Sequence, residues 1–326
     1  MSALAARFSV DRASFPGPVL VTGAGGCIGS WVLALLVRAG VPACAFDLSE
    51  DKRRPRLLMS EDELKKVQWR TGDIGDGATV TRVLEAVRPC AVIHLAALQV
   101  PFCKADPVAG AKVNVVGTVN VFEGARKLGI KRLAYASSIA AYGAMDEGLG
   151  AMHTLYGAYK HCDEQIALVY SGDWGVHSVG IRPGVVYGVG RDQGLTSKTT
   201  VAILAAAAGK AYEVPFSGGV SWLYTGEVAS AFIRAVSRER AGAPVFNMNG
   251  VHAPVEEGLR ILRSIAPSAK LTSSGKALAF PMHLPDTPLR EFLGDYGSAT
   301  LAEGVRETYD AFRSLISRGM MSADSV

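Results

Sequence analysis

A glycine-rich segment near the N-terminus constrains the fold of this chain more than any other feature. Residues 18–22 form a short apolar run that leads directly into residues 23–29, whose sequence is GAGGCIG, and a helical pattern of apolar residues follows. In this order of strand, glycine turn and helix, backbone N–H groups can approach a pyrophosphate and the helix dipole favours its charge. The segment therefore predicts an α/β fold with a dinucleotide-binding turn.

Alternation of short apolar runs with longer amphipathic segments extends this prediction, because it is typical of a parallel sheet with crossover helices. The predicted strands are residues 18–22, 43–47, 67–71, 91–95, 132–137 and 176–181. The predicted helices are residues 28–38, 78–87, 108–127, 156–170, 198–209, 227–238 and 301–317. We expect a Rossmann-type doubly wound parallel sheet in residues 1–181. Residues 182–326 should form mainly a smaller C-terminal substrate-binding lobe, with some segments returning to the Rossmann domain.

Charge and composition exclude several classes of partner. The formal net charge of +4 is spread along the chain, without the basic patch that nucleic-acid binding requires. No apolar run reaches the roughly 18 residues that span a bilayer, and the N-terminal segment lacks the apolar core of a signal peptide. The five cysteines form no CxxC pair and the six histidines show no metal-binding spacing. We expect a cytoplasmic protein with a small-molecule substrate and with no nucleic-acid, membrane or metal partner.

An acidic residue, Asp47, ends the second predicted strand. A carboxylate about 20 residues beyond the glycine turn accepts hydrogen bonds from the ribose hydroxyls and repels a 2′-phosphate. This position favours NAD over NADP. Arg53 and Arg54 follow in a polar loop and are the alternative, since an arginine there can bind a 2′-phosphate.

Tyr156 and Lys160 open a predicted helix, and their spacing of four places both side chains on one face. A phenol with a pKa near 10 needs a neighbouring cation to act as a base at neutral pH, and Lys160 supplies that charge. Such a pair also occurs by accident on many helices. Its position after the glycine turn and Asp47 favours catalysis, as does Ser138 at a strand end, where a hydroxyl can bind a reacting oxygen.

Together these motifs resemble an extended short-chain dehydrogenase/reductase of the NAD-dependent epimerase/dehydratase family. Residues 22–29 match its TGxxGxxG motif, residues 156–160 match its YxxxK motif, and residues 137–143 match its hydroxyl-bearing strand end. The resemblance covers nearly the whole chain. It implies NAD as cofactor and a homodimer formed through two helices of each subunit.

The resemblance also implies roles for individual residues. Its catalytic set is Ser138, Tyr156, Lys160 and Asn114, although Asn114 has an equally good interpretation as a core residue. The implied cofactor contacts are Gly23, Gly26, Cys27, Ile28, Gly29, Asp47, Asp73, Ile74, Leu95, Ala96, Ala97, Tyr156, Lys160, Pro183 and Val186. Among residues outside the motifs, we predict Arg191, Ser197 and Lys198 as contacts for substrate carboxylate or hydroxyl groups, beside Ser138 and Tyr156.

Two departures from the family pattern narrow the expected reaction. Dehydratases of the family carry an Asp-Glu pair where this chain has Ile139 and Ala140, so elimination of water lacks its usual carboxylates. Residues 219–222 lack the arginine that clamps a nucleotide diphosphate in related enzymes, although Arg191 or Lys198 could take its place. We expect an NAD-dependent oxidoreductase acting on a secondary hydroxyl of a small sugar, sugar acid or polyol. The alternatives are an NAD-dependent epimerase of a sugar or nucleotide sugar and a non-catalytic dinucleotide sensor.

Overall fold

The computed structural model describes residues 7–143, 154–278 and 284–322, and in these residues seven parallel strands form a central sheet. The strands of the chain are β1 (Val19–Thr22), β2 (Ala43–Asp47), β3 (Val67–Thr71), β4 (Ala91–His94), β5 (Leu133–Ala136), β6 (Val179–Pro183), β7 (Val186–Tyr187), β8 (Tyr212–Val214), β9 (Gly219–Tyr224), β10 (Val245–Met248), β11 (Val251–Pro254) and β12 (Leu271–Ser273). The central sheet has the order β10-β6-β5-β4-β1-β2-β3.

This order confirms the predicted doubly wound sheet, because the chain winds outward from β1 in one direction and from β4 in the other. The six predicted strands are all present, each within three residues of its predicted bounds. The seventh strand, β10, comes from beyond residue 182 and pairs in parallel with β6, with Val245 opposite Gly180. The division of the chain into two domains at residue 181 stays a prediction.

Helices cover both faces of the sheet. The helices are α1 (Cys27–Arg38), α2 (Arg53–Leu58), α3 (Glu61–Leu64), α4 (Gly77–Val87), α5 (Val100–Ala105), α6 (Pro107–Ala111), α7 (Gly117–Leu128), α8 (Leu155–Trp174), α9 (Lys198–Ala207), α10 (Thr225–Ala235), α11 (Val255–Ile265), α12 (Thr287–Leu293) and α13 (Leu301–Ser317). Strand side chains alternate between the two faces, so Val19 and Val21 join the core under α1 and α10. Leu20 joins the core under α4, α7 and α8.

One predicted helix is interrupted. The pattern predicted a continuous helix over residues 108–127, whereas the structure has α6, a π-helical segment Lys112–Val116, and then α7. The π segment contains Asn114, whose side chain binds the backbone of Leu98 at 2.7 and 3.0 Å. Widened turns of this kind occur often beside functional sites.

Two small sheets lie outside the central sheet, one formed by β7, β9 and β11 and the other by β8 and β12. Within the described residues, no helix is long and apolar enough to cross a membrane. Across the same residues, no group of three His, Cys, Asp or Glu side chains is arranged to hold a metal ion.

A buried carboxyl group leads to a prediction about stability. Glu227, in the first turn of α10, is 3% exposed and its Oε1 accepts a hydrogen bond from Ala299 N at 2.5 Å. Burial raises the pKa of Glu227 to about 7. The folded protein therefore holds a proton that the unfolded chain has lost between pH 4.5 and about 7, so stability falls as pH rises through this window.

The variant Glu227→Gln keeps the acceptor oxygen and removes the charge. We expect it to raise the free energy of unfolding at pH 8 by roughly 2 kcal/mol and to flatten the dependence on pH between 5 and 8. Urea unfolding at several pH values measures both effects. Glu239→Gln, at an exposed position, is the matched control and should change neither. An unchanged pH dependence in Glu227→Gln would contradict the prediction.

Candidate active site

A cleft of about 910 Å³ runs along the carboxyl ends of the central strands, where open α/β sheets bind ligands. It extends from the glycine turn and the end of β2 to the end of β5 and the start of α8. Among the described residues, nothing beyond Thr196 lines it. Of the described residues after β6, those that line the cleft all fall within residues 183–196.

The glycine turn forms the base of the cleft and leaves no room for side chains. A Cβ atom on Gly29 would lie 2.4 Å from the carbonyl oxygen of Gly23. Helix α1 begins at Cys27, and no described side chain caps its first turn at Gly26. Its first N–H groups are therefore available to a phosphate, and the cradle fits the pyrophosphate of a dinucleotide.

Asp47 lies at the end of β2 and lines the cleft, as predicted. Its Oδ2 accepts a hydrogen bond from Gly25 N at 2.8 Å and its Oδ1 accepts one from Leu48 N at 2.7 Å. Burial raises the pKa of Asp47, while these two hydrogen bonds oppose the rise. Each oxygen keeps a lone pair for a ribose hydroxyl.

The two arginines that could bind a 2′-phosphate are engaged with carboxylates. Arg53 pairs with Asp51 and Arg54 pairs with Asp192, each at 2.7 Å. Neither arginine is therefore free to bind a 2′-phosphate beside Asp47. This arrangement favours NAD over NADP.

The turn after β4 is held by a chain of buried hydrogen bonds. Thr22 Oγ1 accepts from the N–H groups of Leu95 and Ala96, and lies 2.7 Å from His94 Nδ1. His94 Nε2 lies 3.2 Å from Thr118 Oγ1, which donates to a backbone carbonyl. Thr118 therefore accepts from Nε2–H, and Nδ1 accepts from Thr22. Burial lowers the pKa of His94 to about 3, so the imidazole is neutral.

The remaining predicted cofactor contacts all line the cleft. They are Gly23, Gly26, Cys27, Ile28, Asp73, Ile74, Leu95, Ala96, Ala97, Pro183 and Val186. Asp73 also binds Lys112 Nζ at 2.7 Å, and this ammonium lowers the pKa of the Asp73 carboxyl. Burial raises the pKa of the Cys27 thiol to about 11, so this cysteine is a packed side chain and not a reactive thiolate.

Ser138, which follows β5, and Tyr156 and Lys160 in the first turns of α8 all line the same cleft, and their catalytic roles stay a prediction. The close approach of α8 depends on Gly157, where a Cβ would lie 2.4 Å from the carbonyl oxygen of Ala140. Ser138 Oγ accepts a hydrogen bond from Ala140 N at 3.2 Å, which leaves its hydroxyl hydrogen free to donate. The geometry can therefore polarise a substrate oxygen beside the Tyr156 phenol.

Lys160 is anchored by a residue that the sequence analysis did not identify. Its Nζ donates to the carbonyl of Ala136 at 2.7 Å and to Asp163 Oδ2 at 3.2 Å. Asp163 is fully buried, and burial raises its pKa to about 6 although the Lys160 ammonium opposes the rise. An ammonium has three donors, so one remains for a cofactor or substrate hydroxyl.

A second buried pair supports the end of β5. Arg182 donates to both oxygens of Glu164 at 2.7 and 2.6 Å, and Ser137 Oγ also donates to Glu164. Arg182 further donates to Tyr142 at 2.7 Å. Sequence spacing alone gave no signal for this pairing, because the residues lie on separate elements of the chain.

Two predicted site residues lie behind the cleft wall. Asn114 is fully buried, and its amide binds the backbone of Leu98 on both sides, so it shapes the wall and does not line it. The prediction for Ser197 is corrected, because Ser197 is fully buried and its hydroxyl donates to the Gly194 carbonyl at 2.8 Å. Lys198 lies outside the cleft as well, whereas Thr196 lines it together with Arg191.

The fold is of the Rossmann class, and one cleft is lined by a glycine turn, a carboxylate at the end of β2 and a Ser-Tyr-Lys set, an arrangement typical of NAD-dependent enzymes. The family model described as "NAD dependent epimerase/dehydratase family" matches residues 19–249, and the chain belongs to this family. The predicted family and the predicted cofactor, NAD, are both confirmed.

Known relatives include sugar-nucleotide epimerases. The UDP-glucose 4-epimerase of Mycolicibacterium smegmatis is 29% identical over 313 residues, which cover 90% of this chain and 98% of the relative. The crystal structure of UDP-glucose 4-epimerase from Thermus thermophilus in complex with NAD has a TM-score of 0.76 and 25% identity, covering 91% of this chain and 99% of that one.

A dehydrogenase is also similar in fold. The L-threonine dehydrogenase of Clostridium difficile has a TM-score of 0.80 at 19% identity, covering 94% of this chain and 99% of that one. At this identity the likeness supports the fold alone. The comparisons thus place the chain in the NAD-dependent epimerase/dehydratase family, and the likeness to the dehydrogenase adds only the fold.

Proposed function

We propose that this protein is an NAD-dependent dehydrogenase of carbohydrate metabolism, which oxidises a secondary hydroxyl of a small sugar, sugar acid or polyol. The observation that carries the proposal is the set of residues that line the cleft. No described residue after Thr196 belongs to this set. Among the described residues, the substrate compartment is therefore built from the ends of β4 and β5, the start of α8 and residues 183–196. A compartment of this kind suits a small molecule better than a nucleotide sugar.

The proposed chemistry follows from the groups at the middle of the cleft. NAD, when bound, supplies the hydride acceptor. Tyr156 takes the proton of the substrate hydroxyl, and Ser138 donates a hydrogen bond to the same oxygen. The Lys160 ammonium, fixed by Ala136 and Asp163, favours the charged phenolate over the neutral phenol. Orientation and fixed charges supply most of the rate acceleration.

Two local features argue against other reactions of the family. Ile139 and Ala140 line the cleft where a dehydratase needs carboxylates. On β9, Ser221 is fully buried and its Oγ accepts a hydrogen bond from the backbone N–H of Val185 at 2.6 Å. The neighbouring Trp222 is packed in the core. Neither of these β9 side chains is available to clamp a diphosphate.

An epimerase is the second candidate, because a full-length relative at 29% identity is named as a UDP-glucose 4-epimerase. An epimerase oxidises and re-reduces the same carbon and so releases no net NADH. A dehydrogenase releases one NADH for each substrate oxidised. Net NADH formation therefore separates the two candidates.

The test is a panel of sugars, aldonates, uronates and alditols with NAD, followed by NADH absorbance. We expect sustained NADH formation with at least one member of the panel, and a rate about 10³-fold lower with the Tyr156→Phe variant. Isomerisation of a sugar or UDP-sugar without NADH release, detected by chromatography, would favour the epimerase. No turnover of any panel member would remove the dehydrogenase proposal.

We also propose that two subunits pair through the helices beside the site. Apolar side chains are exposed on adjacent helices of this face, with Val108 at 79%, Leu168 at 51% and Val169 at 51%. Exposed apolar patches on a folded protein commonly mark an interface. Sedimentation equilibrium should give twice the mass of one chain, and the mass of a single chain would contradict the pairing.

A further inference from the structure

The cationic side chains of the cleft differ in their partners. In the part of the chain that the structure describes, four of them line the cleft. Three pair with a carboxylate at 2.7 to 3.2 Å: Arg54 with Asp192, Lys112 with Asp73, and Lys160 with Asp163. The fourth, Arg191, has no carboxylate partner among the described residues.

Arg191 contacts only neutral groups. Its guanidinium donates to Thr196 Oγ1 at 3.0 Å and to Gln99 Oε1 at 3.4 Å. Its Nε is buried and has no hydrogen-bond partner in the described structure. Because a guanidinium carries five N–H donors, most of its hydrogen-bonding capacity is unused. A half-buried cation that keeps unused donors in a cleft can bind an anion.

The surroundings hold this cation in place for a ligand. Arg191 lies in the loop between β7 and the short helix Leu195–Ser197, and this loop meets the segment after β4, where Gln99 Oε1 approaches Gly194. The same cleft contains Ser138 and Tyr156. The neutral contacts with Gln99 and Thr196 orient the guanidinium without neutralising its charge.

We infer that the substrate carries a carboxylate and that Arg191 binds it. The inference rests on the proposed function and narrows its substrate to a hydroxy acid. A planar guanidinium matches the two oxygens of a carboxylate in a bidentate pair. One unpaired cation also suits a single negative charge better than a diphosphate.

The experiment compares four- to six-carbon aldonates with the matching alditols, which differ only in a carboxylate at one end. We expect the wild-type protein with NAD to favour the acids in kcat/KM by about 10- to 100-fold, the range expected for a hydrogen-bonded charge pair. Arg191→Met should abolish this preference through loss of the acid activity alone. Arg191→Lys should retain part of it. Lys131→Met, at an exposed position away from the cleft, removes one charge as the control.

A binding measurement separates this inference from the proposed function. Calorimetric titration of the same acids into the NAD complex of Tyr156→Phe measures their affinity for the proposed anion site without the complication of turnover. We expect an aldonate to bind to the NAD complex of Tyr156→Phe. The double variant Tyr156→Phe, Arg191→Met should lose this binding. Absence of NADH formation together with aldonate binding would reject only the dehydrogenase proposal.

Three results would overturn the inference. The first is an acid preference that is unchanged in Arg191→Met. The second is weaker NAD binding in Arg191→Met with the acid preference intact, which would assign the guanidinium to the cofactor pyrophosphate. The third is NADH formation from alditols or neutral sugars at rates equal to those with the acids.

Discussion

Replacing Tyr156 with phenylalanine is expected to lower kcat by about 10³-fold, within the range attributed to a positioned acid or base. The substitution removes one oxygen and keeps the ring, so the cleft wall and α8 keep their packing. Calorimetry should therefore give a nearly unchanged affinity for NAD. NADH formation with the best substrate of the panel measures the loss.

Tyr159→Phe is the matched control for this prediction. Tyr159 is on the same helix, three residues further on, but its hydroxyl donates to the carbonyl of Pro107 at 2.9 Å and it does not line the cleft. We expect its activity to stay within a few-fold of wild type. Equal losses in the two variants would point to a general disturbance of α8, and full activity in Tyr156→Phe would remove the proposed base.

Replacing Lys160 with methionine is expected to produce the second large effect, a loss of both activity and stability. The variant leaves the Asp163 carboxylate buried without its ammonium partner. Removal of one member of a buried ion pair costs about 3–5 kcal/mol. The variant also loses the hydrogen bond from Lys160 to the Ala136 carbonyl. Urea unfolding at neutral pH measures the decrease in the free energy of unfolding.

The loss of stability should depend on pH in a defined direction. Burial already raises the pKa of Asp163 to about 6, and removal of the cation raises it further. The folded variant then holds a proton that the unfolded chain has released, so its stability should fall as pH rises from 5 to 8. The double variant Lys160→Met, Asp163→Asn should recover stability and lose this pH dependence while remaining inactive. A double variant as unstable as the single one would refute the role of Asp163.

These two predictions concern one connected set of buried polar groups. Asp163 fixes Lys160, and Lys160 binds the end of β5 through Ala136. The adjacent Glu164 binds Arg182 and Ser137 beneath the same strand end. Buried networks of this kind restrict side chains to one arrangement, although Asp163 Oδ1 has no hydrogen-bond partner among the described residues. The reacting groups are therefore held by bonds to three different elements.

Much of the site could be predicted from the sequence because the motifs that form it are local. The glycine turn follows a strand, Asp47 ends the next strand, and Tyr156 and Lys160 lie one helical turn apart. Each of these patterns depends on turn geometry or helical period within a few residues. The doubly wound sheet followed from the same alternation of strands and helices.

Most of the residues that the sequence analysis missed act across long separations, whereas Asp163 lies only three positions after Lys160 on α8. Thr22 and His94 are 72 positions apart, and Ser137 and Glu164 are 27 apart. Ser197 was misplaced for a local reason, because it ends the short helix Leu195–Ser197 and its hydroxyl donates to the carbonyl of Gly194, three positions earlier. No periodicity or motif in a single segment reports such contacts.

The sequence by itself therefore determined the class of fold, the cofactor turn and the order of Ser138, Tyr156 and Lys160, because these depend on short-range backbone geometry. Only the tertiary structure decided which charges are paired. It joined Arg182 on β6 to Glu164 on α8 and brought Arg191 beside the neutral side chain of Gln99, because such partners are set by distances between elements that are remote along the chain.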